Sequence, residues 1–354
     1  RVVAPKVGGS NPPSHPMNSK ISKLKIALVC GGPSSEHKVS LKSTQAILKN
    51  IDNNKYQIFI FYITKNLTTC FFKSKTKKLV IPKNKKLYLP LLKGISQNLT
   101  KVDLALLMGI HGEFVEDGRL QSLLELFNIK YTGSKVEASI LAMDKYFSNL
   151  LVNNNLKIKI PKTKLIDLEN PNLNFKITYP VILKPNNAGS SIGIYIINSY
   201  KELKSALKEI SNSKFKYYLI QKYLKNSLEI SCGCLEDKNG NFIKLPPIEI
   251  IPKDKKFFDY QAKYSKSGSI EITPPVSLNY KLSNKISDLA CKIHQLLRCS
   301  SYSRSDFLIN NNEIYYLETN TLPGMTATSL LPKEARAKGI DFSQLIDFII
   351  QNEF

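Results

Sequence analysis

Strand-like and helix-like patterns of apolar residues alternate along the first third of the chain. The strand patterns cover residues 24–30, 57–64 and 102–109, and the helical patterns cover residues 39–48 and 120–127. This alternation predicts a parallel α/β domain, in which ligands bind at the carboxyl ends of the strands. Glu36 and His111 each follow a predicted strand. We therefore expect both side chains to face one crevice.

The pattern changes near residue 134. A helical pattern over 135–153 is followed by strand patterns at 179–185, which includes Lys184, and at 194–197. Small residues fill the loop 186–193 between these strands, and no helix follows it, which excludes a Walker loop or a dinucleotide-binding turn. We expect a strand-loop-strand flap that binds phosphate through backbone N–H groups and hydroxyls. A plain hairpin turn is the alternative.

The last third begins with an apolar strand pattern at 218–224. Backbone groups along the edge of such a strand could hold adenine. Glu229 stands at the start of the next predicted strand. The polar segment 252–273 carries four aromatic residues, which is typical of a functional lid loop and unusual in a linker. Amphipathic helices are predicted at 283–297 and 342–350.

Between those two helices, the chain predicts a hairpin with strands at 305–309 and 314–317. If Ile309 pairs with Glu313, Arg304 lies opposite Glu318. Alternation along the strands then places four polar side chains on one face: Arg304, Asp306, Glu318 and Asn320. Two carboxylates and an amide oxygen suit Mg²⁺. A surface ion pair is the alternative, but the nearby Gly324, which lets backbone approach a ligand, favours a binding site.

The composition is that of a globular protein with two or three domains, since 42% of the 354 residues are hydrophobic. No apolar run approaches the roughly 18 residues that span a bilayer. Residues 1–16 lack a starting Met and are rich in Pro, Gly and Ser. We expect them to be a disordered, tag-like extension, with Met17 as the natural start.

The cysteines and the charge indicate no special chemistry. Six cysteines stand without metal-binding spacing, which predicts reduced, mostly buried thiols in a cytosolic protein. The net charge of +23 and the seven lysines within 73–86 are compatible with a nucleic-acid-binding protein. We do not expect that function, because the lysines are spread along the chain and the aromatic residues alternate within apolar strands.

Taken together, the motifs resemble those of the D-alanine–D-alanine ligases of the ATP-grasp superfamily over essentially all of residues 25–354. They stand in the order that the family expects: GGPSSEHKVS at 31–40, HG and EDG within 111–118, YTGS at 131–134, MDK at 143–145, KP and GSSIG within 184–193, DY and KY within 259–264, and the segment 304–325 followed by SL at 329–330. The resemblance implies α/β and α+β architecture in three domains: an N-terminal parallel α/β domain at 17–133 and two ATP-clamping domains at 134–220 and 221–354.

The implied reaction joins two D-alanine molecules through an acyl phosphate, with ATP as cosubstrate and two Mg²⁺ or Mn²⁺ ions. The resemblance assigns phosphate contacts to Lys145, Lys184, Ser191 and Lys263. It assigns adenine and ribose contacts to Gln221, Lys222, Tyr223, Leu224 and Glu229, and metal binding to Asp306, Glu318 and Asn320. It assigns substrate binding and transition-state stabilisation to Glu36, His111, Arg304, Gly324, Ser329 and Leu330.

By the same resemblance, Glu36, Ser190 and Tyr264 form a hydrogen-bonded triad that closes the lid, and Tyr264 favours a dipeptide over a depsipeptide product. Three residues depart from the family pattern: Val115 stands where a glycine usually precedes EDG, Gln221 where a glutamate is common at the adenine edge, and Phe258 where a tyrosine is usual in the lid. The resemblance also implies a cytoplasmic homodimer that binds neither membrane nor nucleic acid. A related ligase for a different amino acid or hydroxy acid remains open, since it would share the metal site.

Overall fold

The computed structural model describes residues 23–189, 193–252 and 269–354. Four of the predicted site residues lie outside these ranges: Ser190, Ser191, Lys263 and Tyr264. The departure at Phe258 lies outside them too.

The first sheet confirms the predicted parallel core. Its strands are β1 (Leu24–Gly31), β2 (Tyr56–Ile63), β3 (Thr68–Lys73), β4 (Tyr88–Pro90) and β5 (Leu104–Leu106), in the spatial order β4-β3-β2-β1-β5. Strand β1 runs parallel to β2 and β5, whereas β3 and β4 add an antiparallel edge that the sequence pattern did not predict. Helices α1 (His37–Asn50), α2 (Leu91–Asn98) and α3 (Arg119–Leu126) accompany this sheet.

The single helix predicted over 135–153 is wrong, because two helices, α4 (Val136–Met143) and α5 (Lys145–Leu156), meet there. Asp144 between them is extended (φ −81°, ψ 97°), and its side chain accepts a hydrogen bond from the N–H of Phe147. Aspartate is a preferred N-cap residue because its carboxylate satisfies a backbone donor in the first helical turn. The break places Lys145 at the start of α5.

The second sheet contains the predicted strand-loop-strand flap. Its strands β6 (Thr163–Asp167), β7 (Val181–Pro185), β8 (Tyr195–Ile197) and β9 (Tyr217–Lys222) take the antiparallel order β6-β9-β7-β8, and α6 (Tyr200–Glu209) packs against β8. The predicted limit at 220/221 falls within β9, and α4 and α5 share a core with the third sheet. The division into domains stays a prediction.

The third sheet is antiparallel and carries the C-terminal hairpin. It contains β10 (Leu228–Glu236), β11 (Phe242–Lys244), β12 (Ile248–Pro252), β13 (Ser269–Ile272), β14 (Tyr302–Asn310) and β15 (Glu313–Asn320), with the main order β13-β12-β10-β14-β15. Helices α7 (Tyr280–Leu296), α8 (Leu330–Ala337) and α9 (Phe342–Gln351) complete this region.

The closing helix α9 joins this C-terminal region to the first sheet. Its Leu345, Ile346 and Ile349 are at most 1% exposed and belong to the same apolar cluster as the first sheet. Each such buried aliphatic side chain is worth roughly 1.5–3 kcal/mol relative to an exposed one. The cavity described below is therefore framed by parts of the chain that are far apart in sequence.

The hairpin of β14 and β15 does not have the register expected from the sequence. Ile309 lies opposite Ile314, and the predicted pairing with Glu313 is wrong. The turn consists only of Asn311 and Asn312, whose φ angles are 50° and 61°. Asparagine tolerates this left-handed conformation, and such a turn matches the twist of the two strands.

A bulge then restores the shared polar face. If the pairing next to the turn continued, Asp306 would lie opposite Leu317 and Glu318 would face the other side of the sheet. The register shifts between residues 306 and 307, so that Leu317 is the extra residue and Asp306 lies opposite Glu318. Arg304 consequently pairs with Asn320, not with Glu318 as expected.

The six cysteine side chains are buried, which confirms the prediction of mostly buried thiols, and they are free. In the part of the chain that the structure describes, no helix has the length and apolarity needed to span a bilayer.

Candidate active site

A cavity of about 1000 Å³ is lined by residues from all three sheets and their loops. Every predicted site residue within the described ranges lines it: Glu36, His111, Lys145, Lys184, Gln221, Lys222, Tyr223, Leu224, Glu229, Arg304, Asp306, Glu318, Asn320, Gly324, Ser329 and Leu330. The structure thus brings together residues that are far apart in the sequence, from Glu36 to Leu330. Their individual roles remain predictions.

Arg304 and Asp306 form a bidentate pair on the floor of the cavity. Arg304 Nε donates to Asp306 Oδ1 at 3.0 Å, and Nη2 donates to Oδ2 at 2.9 Å. Ser231 Oγ also donates to Oδ1, at 2.6 Å. Burial lowers the pKa of Arg304, but the nearby carboxylates outweigh it and raise the pKa above its usual range. Arg304 therefore remains a fixed positive charge.

Lys145 links the C-terminal hairpin to the small-residue loop 186–193. Its Nζ lies 3.1 Å from Glu318 Oε2 and donates to the carbonyl of Ala188 at 2.6 Å. The side chain amide of Asn186 accepts a hydrogen bond from the N–H of Tyr146 at 2.9 Å, so the loop is tied to α5 a second time. The break at residue 144 creates both contacts.

The carboxyl ends of β1 and β5 form the opposite corner, as the parallel sheet predicted. Glu36 is 5% exposed and directly precedes α1. A Cβ atom on Gly112 would lie 2.8 Å from Glu36 Oε2, and the φ of Gly112 is +85°. Only glycine fits this close approach without strain.

His111 lies in the same corner with both ring nitrogens engaged. Its Nδ1 is 3.1 Å from the carbonyl of Leu322, and its Nε2 is 2.8 Å from Ser43 Oγ. Burial lowers the pKa of His111, although Glu36 acts in the opposite direction. A neutral ring that donates from Nδ1 to the carbonyl and accepts from Ser43 at Nε2 satisfies both contacts. His111 thus connects helix α1 to the segment that follows the β14–β15 hairpin.

Glu116 is a further carboxylate in this corner that the sequence reasoning did not assign to the site. Its Oε1 accepts a hydrogen bond from the N–H of Gly112 at 3.0 Å, and it is 8% exposed. Burial raises the pKa of Glu116 to about 8, and the neighbouring Glu36 contributes to the rise. Its place in the EDG motif, five residues after His111, was the signal that could have identified it.

The end of the cavity next to Gln221 has apolar residues in its wall, among them Pro161, Ile182 and Leu308. Gln221 is 2% exposed, and its Nε2 donates to Thr163 Oγ1 at 2.9 Å. The amide group has an oxygen that can accept a hydrogen bond, as the glutamate implied by the family resemblance at this position would.

Gly324, Ser329 and the first turn of α8 form the remaining end. A Cβ atom on Gly324 would lie 2.9 Å from Ser329 Oγ, so a side chain at 324 would displace Ser329. Ser329 Oγ accepts from the N–H of Thr326 at 3.1 Å. Exposed N–H groups at the start of a helix favour a bound carboxylate. Lys333, which sequence reasoning missed, adds a cation here and pairs with Glu271 at 2.5 Å.

The donor set of Asp306, Glu318 and Asn320 fits a hard divalent cation. Mg²⁺ takes one or two carboxylates and completes its shell with water and substrate phosphates. Within residues 23–189, 193–252 and 269–354, no group of three His, Cys, Asp or Glu side chains is arranged to hold a metal ion.

Two family descriptions match most of the chain. Residues 25–134 match the D-ala D-ala ligase N-terminus, and residues 161–351 match the D-ala D-ala ligase C-terminus. The chain belongs to the D-alanine–D-alanine ligase family. The resemblance found in the motifs is confirmed, and so is the ATP-grasp architecture expected from it.

Relatives in this family match over nearly their full length. The D-alanine–D-alanine ligase of Leptospira biflexa serovar Patoc is 35% identical over 353 residues, covering 94% of this chain and 99% of the relative. That of Syntrophobacter fumaroxidans is 36% identical over 334 residues, covering 93% and 97%.

Solved structures of the family match as well. The VanG D-Ala:D-Ser ligase from Enterococcus faecalis has a TM-score of 0.76 at 29% identity, covering 94% of this chain and all of that one. The Bacillus anthracis D-alanine–D-alanine ligase complexed with ATP has a TM-score of 0.71 at 29% identity, covering 93% and 96%.

The departure at Val115 from the ligase pattern is accommodated by its neighbour. Val115 is 1% exposed and packs in the core, and its carbonyl accepts from Gln121 Nε2 at 2.6 Å. The left-handed conformation in this loop is taken by Phe114, at φ 81°. The His111 loop therefore keeps its contacts with Ser43 and Leu322.

Proposed function

We propose that this protein ligates two D-alanine molecules to D-alanyl-D-alanine with the hydrolysis of ATP to ADP and phosphate, for peptidoglycan precursor synthesis. One observation carries the proposal: the Arg304–Asp306 pair, the Lys145–Glu318 pair and Glu36 line a single cavity of about 1000 Å³. That volume suits a nucleotide with two small amino acids, since ligand sites span roughly 300–1,000 Å³.

The nucleotide would lie between the second and third sheets. Adenine would pack against the apolar wall, with its amino group donating to Gln221 and a ring nitrogen accepting from the N–H of Leu224. Lys222 and Tyr223 would flank the ring, and Glu229 would bind the ribose hydroxyls. The N–H groups of Lys222 and Tyr223 already donate to the carbonyls of Lys162 and Pro180, which leaves Leu224 as the backbone donor of choice.

The first step transfers the γ-phosphoryl group to the carboxylate of the first D-alanine. A carboxylate oxygen attacks phosphorus as the bond to the ADP oxygen breaks, which gives an acyl phosphate. Lys145 and Lys184 would compensate the phosphate charge, because phosphoryl transfer depends on positioning and electrostatics more than on covalent help. Glu36 would hold the ammonium group of the substrate at the opposite corner.

The second step joins the amino acids. The free amine of the second D-alanine attacks the acyl carbon, and the tetrahedral oxyanion then collapses with loss of phosphate. Arg304 and the N–H of Gly324 would donate to that oxyanion, and one such preorganised donor is commonly worth roughly 3 to 4 kcal/mol. Ser329 and the N–H of Leu330, at the start of α8, would bind the carboxylate of the second substrate.

Asp306, Glu318 and Asn320 would hold two divalent cations, and we propose Mg²⁺ or Mn²⁺. Bound with the nucleotide, the cations would neutralise charge on the transferring phosphoryl group. Lys145 beside Glu318 would keep that carboxylate from rotating away from the phosphates. We further propose that Ser190, Ser191, Lys263 and Tyr264 act as the resemblance implies, closing the site against water that would hydrolyse the acyl phosphate.

A different second substrate is the competing proposal. The solved D-Ala:D-Ser ligase shares the fold at 29% identity, so the architecture does not choose between D-alanine and D-serine. The residues Lys263 and Tyr264 favour an amine nucleophile over the hydroxyl of D-lactate, in line with the pattern described above. The first substrate and the phosphoryl chemistry are the same in either case.

An assay of phosphate release from ATP in the presence of Mg²⁺ tests the proposal. D-alanine, D-serine, D-lactate and L-alanine are each supplied alone, and the last three are also supplied together with D-alanine. We expect D-alanine alone to stimulate release and mass spectrometry to find D-alanyl-D-alanine. If D-alanine gives no release while another amino acid does, the substrate assignment fails.

We also propose a cytoplasmic homodimer, which light scattering of the purified protein and cell fractionation would test.

A further inference from the structure

Glu334 is a buried carboxylate that the proposed reaction does not use. It lies in α8 and has 0% exposure, and neither of its side-chain oxygens makes a hydrogen bond of normal geometry within the described residues, although the backbone N–H of Gly233 is close enough to favour its ionised form. An ionised group in such a place costs several kcal/mol when nothing compensates it. A carboxylate in this position therefore calls for a partner elsewhere in the working cycle.

The position of Glu334 is directly beside Arg304. Gly233 in β10 is the cross-strand neighbour of Arg304, and paired residues of antiparallel strands face the same side. A Cβ atom on Gly233 would lie 2.6 Å from Glu334 Oε2. The carboxylate thus occupies the space that a side chain at 233 would fill. Burial raises the pKa of Glu334 to about 8, and the charge of Arg304 acts to lower it.

Arg304 and a metal ion compete for Asp306. The guanidinium takes both carboxylate oxygens of Asp306, and Ser231 donates to one of them as well. A divalent cation at Asp306 needs an oxygen lone pair that points toward it, and its charge repels the guanidinium. Within the described residues Asp306 Oδ2 accepts one bond, from Arg304, which leaves a lone pair for a cation, but the charge of that cation would repel the guanidinium and weaken the bidentate pair.

We propose that Glu334 is a positioning residue that accepts the guanidinium of Arg304 when Asp306 turns to a metal ion. This inference rests on the proposed metal role of Asp306. In the described structure Arg304 pairs with Asp306, and in the metal-loaded enzyme it pairs with Glu334. Arg304 has five N–H donors, so a bond to Glu334 leaves others for the oxyanion. The transfer gives Arg304 and Asp306 each an oppositely charged partner in both states.

The test measures metal binding apart from turnover. Mn²⁺ is titrated into the enzyme–ADP complex, and free Mn²⁺ is followed by electron paramagnetic resonance, for wild type, Glu334→Gln and Glu334→Leu. Loss of a supporting partner around a metal site typically costs 10–100-fold in affinity, so we expect a rise in the Mn²⁺ Kd of roughly tenfold for Gln and more for Leu. ADP affinity in EDTA should not change.

The matched control is Glu353→Gln, which removes another carboxylate whose pKa is raised by burial but which pairs with Lys135 at 3.7 Å, outside the cavity. It should leave the Mn²⁺ Kd unchanged. A purely structural role for Glu334 would alter thermal stability equally with and without Mn²⁺. Under the proposal, the Glu334 variants lose part of the stabilisation that Mn²⁺ confers. If Glu334→Leu fails to fold, the nearly isosteric Gln variant decides the outcome.

Asp306→Asn separates failure of this inference from failure of the metal assignment. If Asp306→Asn weakens Mn²⁺ binding while both Glu334 variants bind like wild type, the transfer of Arg304 is refuted and the metal site stands. If Asp306→Asn binds Mn²⁺ like wild type, the metal assignment fails and this inference fails with it. Ligation of D-alanine by the wild-type enzyme bears on the proposed function alone.

Discussion

Lys145 Nζ lies 3.1 Å from Glu318 Oε2, and the same ammonium group donates to the carbonyl of Ala188 at 2.6 Å. One side chain therefore connects the C-terminal hairpin to the loop of the second sheet. Both partners face the cavity in which we place the phosphates. Because Lys145 is only 7% exposed, these contacts are little screened by solvent.

Lys145→Met should reduce kcat/KM for ATP by about 100-fold, the scale expected for loss of one charge-stabilising donor. The methionine keeps the length and the apolar packing of the side chain, so the folded structure should persist. Steady-state kinetics beside circular dichroism would measure both. Lys159→Met is the matched control, since Lys159 pairs with Glu313 of the same hairpin on the exposed surface. Equal kinetics for the two variants would contradict the phosphate role.

Glu318→Gln should nearly abolish turnover because it removes one of the two carboxylates of the proposed metal site. Metal stabilisation of phosphoryl transfer is worth several kcal/mol, so we expect a loss of more than roughly 100-fold in kcat. The measurement is phosphate release across a Mg²⁺ titration. Glu313→Gln, an exposed residue of the same strand, should behave like wild type. Near-normal activity of Glu318→Gln would refute the assignment.

Gly324→Ala should impair the second substrate more than the first. The added methyl group would lie 2.9 Å from Ser329 Oγ, and Ser329 would have to move. A displacement near 1 Å in a positioning residue can cost about 100-fold, so we expect a clear rise in KM for the second D-alanine. Initial rates over a wide range of D-alanine concentrations separate the two sites. Thr100→Ala, at an exposed position outside the cavity, is the control, and a similar change in both KM values would argue against this placement.

Glu116 makes the pH dependence of stability testable. Burial raises its pKa from 4.5 to about 8 in the folded protein, with Glu36 as the second cause. The folded state therefore holds this proton more tightly than the unfolded state does, and the stability that the proton contributes is lost as the pH rises from about 4.5 to about 8. Each unit of pKa shift corresponds to about 1.4 kcal/mol.

Glu116→Gln removes this titration. Urea unfolding from pH 5 to pH 9 should show that the stability of the wild type falls relative to the Gln variant, with the difference levelling off above about pH 8. Parallel curves for the two proteins across this range would show that Glu116 does not carry the proton. The exposed pair Lys159 and Glu313 offers a control position, where Glu313→Gln should leave the pH profile unchanged.

The residues of the site could be found from the sequence because their chemistry is carried by short local motifs. The carboxylates within the hairpin, the small-residue loop 186–193 and Glu36 after the first strand are each recognisable within a few positions. Parallel strands also place their carboxyl ends at one edge, so the meeting of Glu36 and His111 follows from the alternation of strands and helices.

The register of the hairpin could not be found in this way. The predicted three-residue turn and the actual two-residue turn differ by one position, and one position moves a side chain to the other face of a sheet. The expected shared face exists only because the bulge at Leu317 compensates for the shorter turn. Local sequence does not reveal such a bulge, since it depends on how the strand packs in the sheet.

By itself, the sequence determined the family, the order of strands and helices around the site and the residue types that form it, because these depend on local spacing and composition. Only the tertiary structure decided the break at Asp144 that aims Lys145 at Glu318, the burial of Glu116 next to Glu36, and the placement of Glu334 against Arg304. Each of these depends on contacts between residues far apart in the chain, and burial among such contacts sets the charge state of a carboxylate.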